Sequence, residues 1–157
     1  MNNTGKVEIV YYTPSHHKAF KDLNIAWIEK AHVVEDVDIE VLDDPDKFIL
    51  NGGGSILMAM LNNEVAGTCS LRNKGDGIYE LTKMTVAEEM RGLKIGYMLG
   101  MAAIERARRS GAKKVELYSN RAGSATAILL YYKLGFREIP LDTQAYKRAD
   151  IKMVIDL

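Results

Sequence analysis

Apolar and polar residues alternate along the chain with two different periods, and the periods predict an ordered series of strands and helices. Alternation in steps of two predicts seven strands, at residues 6–12, 55–61, 64–72, 78–86, 115–118, 136–139 and 149–155. Spacing in steps of three and four predicts four helices, at about residues 14–31, 45–50, 95–110 and 123–134. This order is typical of an α/β (α+β) domain with a mostly antiparallel N-terminal sheet and one central βαβ crossover.

The predicted elements begin and end at residues that caps and turns require. Pro14 follows Thr13, a capping residue, and therefore marks the start of the first helix. Asn62-Asn63 separates two strand-like runs and predicts a tight hairpin. Gly135 ends the last helix, because glycine readily adopts the conformation that closes a helix.

The composition argues against several classes of protein. The 21 basic and 21 acidic residues balance, so no strong field favours a nucleic acid or an anionic membrane as partner. The first residues lack a leader pattern, and no run approaches the length of a membrane span. We therefore expect a cytoplasmic protein with a single domain over residues 1–157. No Cys and His spacing fits zinc, and Cys69 is expected to be a buried thiol rather than a nucleophile.

The segment from Arg91 to Gly96 follows a predicted strand and opens a long helix. The first N–H groups of a helix lack intrahelical partners and the helix dipole makes that end positive, so a phosphate can accept several hydrogen bonds there. Gly92 and Gly96 would let the backbone approach such a group closely. A glycine at this place can also serve the turn alone, and the motif is neither a Walker A loop nor the dinucleotide fingerprint.

A second motif lies one βα unit later, where a predicted helix ends in Leu130-Tyr131-Tyr132-Lys133-Leu134-Gly135-Phe136. With Arg91, Lys94 and Gly96 placed as in a pyrophosphate loop, the chain resembles the GNAT superfamily of acetyl-CoA-dependent N-acetyltransferases over nearly its full length. The resemblance implies a GNAT-like acyl-CoA acyltransferase fold, with a central mixed, mostly antiparallel sheet of about seven strands flanked by about four helices. It also implies acetyl-CoA as the acyl donor, and no metal.

The resemblance further implies which residues bind the cofactor: Met84, Val86, Arg91, Gly92, Leu93, Lys94, Ile95, Gly96 and Asn120. Met84 and Val86 would offer backbone groups to the pantetheine amides, as an added strand does. The family usually has glycine where this chain has Lys94, whose side chain either pairs with a CoA phosphate or points into solvent. Many relatives have asparagine where this chain has Ser124, and Asn120 could instead supply an amide to the pantetheine arm.

Two residues match catalytic positions of the family. Glu80 matches a general base, which would take a proton from an alkylammonium acceptor before the amine attacks the thioester. The alternatives for Glu80 are a solvent-facing strand residue or an ion pair with Lys83. Alternation along the strand predicts that Met84 and Val86 share the strand face of Glu80. Tyr131 matches a general acid for the departing thiolate, and its alternative is a core tyrosine whose hydroxyl bonds to backbone.

These inferences predict transfer of an acetyl group to a primary amine by direct attack, in a ternary complex without a covalent enzyme intermediate. One alternative is a non-catalytic CoA-binding or sensing domain, and another is a domain for a different nucleotide. The acceptor, a small-molecule or peptide amine, would lie beside residues 15–32 and 140–146. The acidic run from Glu35 to Asp46 either attracts this amine or is a solvated face. A homodimer is compatible with this fold.

Overall fold

Seven strands form one sheet in this computed structural model, which describes residues 5–31, 33–92, 94–122, 125–141 and 149–157. In chain order they are β1 (Glu8–Tyr11), β2 (Ser55–Leu61), β3 (Glu64–Gly75), β4 (Ile78–Val86), β5 (Lys114–Ser119), β6 (Arg137–Ile139) and β7 (Ile151–Asp156). Across the sheet the order is β1-β2-β3-β4-β5-β7-β6. All neighbours are antiparallel except β4 and β5, which run parallel.

Four α-helices cover the sheet in the described ranges: α1 (His17–Ala31), α2 (Asp36–Asp43), α3 (Ile95–Arg109) and α4 (Ala125–Leu134). α3 and α4 lie over the larger core, on a side that we call the α3 face. α1 and α2 lie over a smaller core on the opposite side, the α1 face, built on Phe20, Leu42, Ile49, Ile56 and Met58. None of these helices is both long enough and apolar enough to cross a membrane.

The sheet confirms the predicted fold class and all seven predicted strands. Asn62 and Asn63 form the predicted hairpin turn between β2 and β3, and both have a positive φ, 52° and 65°. These values match the tight turn that follows the right-handed twist of two paired strands. α3 makes the crossover between the parallel strands β4 and β5, as the order of elements predicted.

The structure differs from the prediction between residues 35 and 50. The acidic run contains α2, whose carboxylates include one buried side chain, Asp38, so it is not simply a solvated face. Asp38 accepts the backbone N–H of Glu35 at 2.9 Å, which caps the start of the helix. The helix predicted up to residue 50 is a single π-helical turn, Asp46–Leu50. The density of charge in α2 concealed its helical pattern, since Leu42 is the one fully buried apolar residue of that helix.

Cys69 lies in the larger core, as predicted, and its thiol donates to the Leu99 carbonyl at 3.7 Å. Burial raises the pKa of the Cys69 thiol from 9.0 to about 12. As pH rises, the thiol therefore loses its proton in the unfolded chain before it does so in the folded one. The contribution of the protonated thiol to stability is complete below pH 9 and is lost between pH 9 and pH 12. In that window we expect the free energy of unfolding to fall by about 1.4 kcal/mol per pH unit more than in Cys69→Ala. Denaturant titrations at several pH values measure this slope, and equal slopes in the two proteins would contradict the prediction.

Candidate active site

β4 and β5 separate after a short paired segment. They pair from Ile78 with Lys114 to Glu80 with Glu116, and no further. Beyond this point β4 continues to Val86 along β3, while β5 continues to Ser119 along β7. The gap between residues 81–86 and 117–119, which we call the wedge, therefore opens at the carboxyl ends of both strands.

A β-bulge at Lys83 reverses the alternation of β4. Ser70 of β3 pairs with Thr82, whereas Thr68 pairs with Thr85, so β4 contains one extra residue. Lys83 has a φ of 56°, in the left-handed region. Met84 and Val86 consequently pack against the larger core on the α3 face, whereas Glu80 lies on the α1 face with Thr82.

The expectation that Met84 and Val86 share a strand face with Glu80 is therefore wrong. Strict alternation holds only while each residue of one strand opposes one residue of its neighbour. The extra residue at Lys83 shifts every later side chain of β4 by one position.

The backbone of β4 offers hydrogen-bonding groups to the wedge. The N–H of Ala87 donates to the Ala66 carbonyl of β3 at 2.8 Å. Successive backbone groups of a strand point to opposite edges, so the N–H and C=O of Val86 point away from β3 and into the wedge. An extended ligand arm can pair with such an edge as an additional strand does.

The start of α3 follows β4 after a short 3-10 turn, Glu88–Met90, and is the place where the sequence predicted an anion site. Gly92 and Lys94 both have a positive φ, 89° and 61°, and Arg91 and Lys94 are exposed. The first intrahelical hydrogen bond of α3 runs from the Met98 N–H to the Lys94 carbonyl, at 3.1 Å. The N–H groups of the helix residues before Met98, among them Ile95, therefore have no acceptor within the helix. Leu93, also predicted to bind cofactor, is outside the described residues.

Gly96 places this helix start against α4. A β-carbon on Gly96 would lie 3.0 Å from Cδ2 of Leu130 and 3.9 Å from Cγ2 of Val86. The residue thus lets α3 approach both α4 and the end of β4. The sequence predicted a glycine for close approach to a phosphate, and the structure adds close approach of a neighbouring helix as a second reason.

The left-handed backbone at residue 94 explains why glycine is expected there. We predict that Lys94→Gly raises the free energy of unfolding by about 1 kcal/mol, because a β-carbon disfavours this conformation, and raises Tm by about 2–4 °C. Thermal unfolding measures the shift. Lys94→Ala is the matched control, since it also removes the ammonium but keeps the β-carbon. Equal stability of the two variants would contradict the prediction.

The same pair of variants separates the two roles considered for the Lys94 side chain. If the ammonium pairs with a phosphate of CoA, both variants bind acetyl-CoA more weakly and with a smaller dependence on salt. If the side chain points into solvent, affinity is unchanged.

Glu80 lies at the closed end of the wedge and is 1% exposed. Its Oε1 accepts a hydrogen bond from Nη2 of Arg72 at 2.8 Å, and Arg72 is the residue of β3 that lies directly opposite Glu80. Burial excludes the alternative of a solvent-facing residue. The predicted alternative of an ion pair is present, but the partner shown is Arg72, whereas Lys83 pairs with Asp38.

Glu116 is a second buried carboxylate that the sequence analysis missed. It opposes Glu80 in the parallel register, on the same face, and is 3% exposed. Burial opposes its ionisation, but the hydrogen bond and charge of Lys74, together with Lys152 at 3.5 Å, outweigh burial and lower the pKa of Glu116. Charged and polar residues alternate with core residues from Lys114 to Tyr118, and this alternation is the signal by which the sequence could have placed Glu116 on this face.

Tyr131 projects from α4 into the larger core on the α3 face. Its ring lies edge-on to Phe136, with centroids 6.0 Å apart. Burial, and to a lesser extent the nearby Cys69, raises the pKa of the Tyr131 phenol. The phenol therefore keeps its proton throughout the neutral range, in the form that a general acid requires. Its neighbour Tyr132 is exposed, in agreement with the different directions of adjacent helical residues.

Two remaining positions of the predicted site can be placed only in part. Asn120 directly follows β5 and is half-buried, beside the open end of the wedge. Ser124 lies outside the described residues. Among the side chains that the structure describes, no three His, Cys, Asp or Glu residues are grouped so that they could hold a metal ion.

If Tyr131 is the general acid that the resemblance implies, Tyr131→Phe should lower the turnover of acetyl-CoA with an amine by about 10- to 100-fold, because the departing thiolate would lose its proton donor. The effect is smaller than for a general base, since a thiolate leaves more readily than most groups. Steady-state thiol release and calorimetric titration with acetyl-CoA measure the turnover and the affinity, which should stay unchanged. Tyr132→Phe serves as control. Equal turnover in the two variants would show that Tyr131 is only a core residue.

Comparison with known proteins identifies similar sequences and structures. The sequence model described as "Acetyltransferase (GNAT) family" matches residues 16–136. The chain is 29% identical over 103 residues to a mycothiol acetyltransferase of Sanguibacter keddieii, an alignment that covers 62% of this chain and 32% of that protein. The chain thus spans about a third of the length of this curated relative.

Two solved structures share the fold. One is an acetyltransferase of the GNAT family from Staphylococcus aureus Mu50, with 21% identity, a TM-score of 0.87, and coverage of 96% of this chain and 99% of that chain. The other is a Bacillus subtilis acetyltransferase in complex with CoA, with 21% identity, a TM-score of 0.74, and coverage of 97% and 99%.

Proposed function

The chain belongs to the acetyltransferase (GNAT) family, and we propose that it transfers the acetyl group of acetyl-CoA to a primary amine by direct attack. The predicted family, fold and class of enzyme, an N-acetyltransferase, are confirmed. The observation that supports the finer proposal is the wedge, with a buried carboxylate, Glu80, at its closed end on the α1 face, while the buried phenol of Tyr131 lies in the larger core on the α3 face. That residues 1–157 form one domain stays a prediction.

The residues around the wedge fit acetyl-CoA as the acyl donor. Its pyrophosphate would accept the N–H groups at the start of α3, beside Arg91 and Lys94. Its pantetheine arm would pair with the free edge of β4 at Met84 and Val86. The CoA complex of the B. subtilis structure supports CoA as the carrier, because the two chains share the fold over nearly their full length.

Glu80 and Tyr131 lie on opposite faces of the sheet, and each is assigned a different proton transfer. An alkylammonium has a pKa near 10.4 and must lose a proton before its nitrogen can attack. We assign this proton to Glu80, so the amine approaches from the α1 face. The nitrogen then forms a bond to the thioester carbonyl carbon, and the N–H of Val86 stabilises the developing oxyanion. The carbon–sulfur bond breaks and the thiolate takes the proton of Tyr131. The nitrogen sheds its second proton, which returns to the Tyr131 phenolate directly or through water, and Glu80 releases its proton to solvent. The products are an amide, free CoA and one proton.

Binding and turnover test the proposal separately. Calorimetry with acetyl-CoA, CoA, ATP and NAD tests the donor, and thiol release from acetyl-CoA with a panel of primary amines tests the reaction. Selective binding of acetyl-CoA and CoA, together with amine-dependent thiol release, is the expected result. Competition by ATP or NAD at similar concentrations would overturn the assignment of the donor.

One observation favours a second function, a CoA-binding domain without catalysis. Glu80 is deeply buried and its carboxylate already has a counter-charge in Arg72, so it would have to leave this ion pair, at least in part, to accept a proton. Tight binding of acetyl-CoA without thiol release across the amine panel would favour this function.

A further inference from the structure

A buried ion pair joins the bulge of β4 to α2. Nζ of Lys83 lies 3.1 Å from Oδ1 of Asp38, and the two side chains are 4% and 0% exposed. The other oxygen of the same carboxylate, Oδ2, accepts the backbone N–H of Glu35 at 2.9 Å. One carboxylate thus holds both the first turn of α2 and a strand 45 residues away.

Stability alone does not account for this arrangement. Removing two charges from water costs free energy that their attraction rarely exceeds, and apolar residues of similar size would stabilise the fold at least as well. Lys83 also adopts a left-handed φ of 56°, which disfavours any residue with a β-carbon. Two unfavourable features at one residue are typical of positions that a function requires.

The position of the bulge suggests what that function is. Lys83 lies between Glu80, at the closed end of the wedge, and Val86, whose backbone points into the wedge. The bulge therefore sets where the edge of β4 lies relative to the carboxylate. α2 lies on the same face as Glu80, from which the amine would approach.

We propose that Asp38 and Lys83 are a positioning pair, which fixes the bulge of β4 against α2 and so aligns the acyl donor in the wedge with the amine on the α1 face. The inference rests on the proposed function for its effect on catalysis, although the link between bulge and helix can be tested without any activity. Neither residue is assigned a contact with the reacting atoms. The pair acts at the reacting end of the wedge, whereas the start of α3, which would bind the pyrophosphate, lies beyond the end of β4.

Three variants separate the contributions of charge and backbone. Lys83→Met keeps the length of the side chain and removes the ammonium. Lys83→Gly removes the side chain but favours the left-handed backbone. The double variant Asp38→Asn/Lys83→Met removes both charges and keeps an acceptor for the Glu35 N–H, so it should fold even if a single variant does not. Lys18→Met is the matched control, because it breaks the Lys18–Asp22 ion pair of α1, in which the side chains are 87% and 60% exposed.

The first readout is hydrogen exchange of backbone amides, which needs neither ligand nor turnover. Lys83→Met and the double variant should exchange faster in α2 and at the amides of Thr85 and Ala87, which face β3, while Lys18→Met should match the wild type. Lys83→Gly should loosen α2 but keep the protection of the Thr85 and Ala87 amides. Unchanged exchange in α2 for all three variants would overturn the link between bulge and helix, whether or not the protein is an acetyltransferase.

The second readout is turnover per folded molecule, well below the melting temperature. Misplacement by about 1 Å can cost about 100-fold in rate, so we expect Lys83→Met and the double variant to lose about 10- to 100-fold in kcat with the amine that gives most thiol release. Their Kd for acetyl-CoA should rise by no more than about threefold, because the loosened edge of β4 would contact only the pantetheine arm, whereas the start of α3, which would bind the pyrophosphate, is untouched. A lower Tm with unchanged kcat would show a purely structural pair and overturn the positioning role. Calorimetry together with amine-dependent thiol release on the wild type distinguishes either outcome from a failure of the proposed function.

Discussion

Glu80→Gln is expected to lower the turnover of acetyl-CoA with a primary amine by about 10³-fold, because the amide cannot take the proton of the attacking ammonium. Glutamine keeps the shape of the side chain and can still meet Arg72, so the β3–β4 pairing should remain. The affinity for acetyl-CoA should change little, since the groups proposed to bind it lie along β4 and the start of α3. Steady-state thiol release measures turnover, and calorimetry measures affinity.

Glu116→Gln is the matched control for this substitution. Glu116 opposes Glu80 in register, lies on the same face and is equally buried, so both variants remove one negative charge from the same region. The control should lose stability, because Lys74 and Lys152 then lose their shared carboxylate, yet its turnover should stay within about threefold of the wild type. A greater loss of turnover in Glu116→Gln than in Glu80→Gln would show that the two carboxylates have been assigned the wrong way round.

Gly96→Glu should weaken the binding of acetyl-CoA by about 100-fold, or about 2.7 kcal/mol. A carboxylate at this position stands in the first turn of α3, where the pyrophosphate would bind, and two like charges in a partly buried site repel each other by several kcal/mol. The helix itself should tolerate the charge, since a carboxylate near the N-terminus is favourable to the helix dipole. Calorimetric titration at low and moderate salt measures the loss, which salt should reduce.

Two further variants at the same residue separate charge from crowding. Any side chain here meets Leu130, because a β-carbon would lie 3.0 Å from its Cδ2. Gly96→Ala reports this contact alone, and Gly96→Gln adds the bulk of glutamate without its charge. Both should bind acetyl-CoA at least about tenfold more tightly than Gly96→Glu. Equal affinities for the glutamine and glutamate variants would mean that no anion binds at the start of α3.

The order of the strands and helices could be predicted from the sequence because each element carries its own pattern. Alternation marked β2 and β3, and Asn62-Asn63 marked the turn between them. The bulge at Lys83 could not be predicted, because lysine is not a residue that signals a left-handed backbone. As a result, the residues of β4 were correctly placed in the strand but on the wrong face after residue 83.

The partners of the site residues could not be predicted either, because they depend on strand register rather than on local sequence. Arg72 reaches Glu80 through the β3–β4 pairing, and Glu116 opposes Glu80 only after the crossover through α3. Tyr131 is buried and Tyr132 is exposed, which fits both the general acid and the core tyrosine considered for Tyr131. The catalytic and cofactor-binding roles themselves stay predictions until the variants are measured.

The wedge also has a mechanical consequence for the sheet. The four strands β1 to β4 and the three strands β5 to β7 are joined by only three residue pairs, a seam from Ile78–Lys114 to Glu80–Glu116. An extended arm bound along β4 would supply the hydrogen bonds that the diverging strands do not make to each other. The donor would then act as a temporary strand in the wedge, so that the two halves of the sheet are joined more extensively while it is bound than after it leaves.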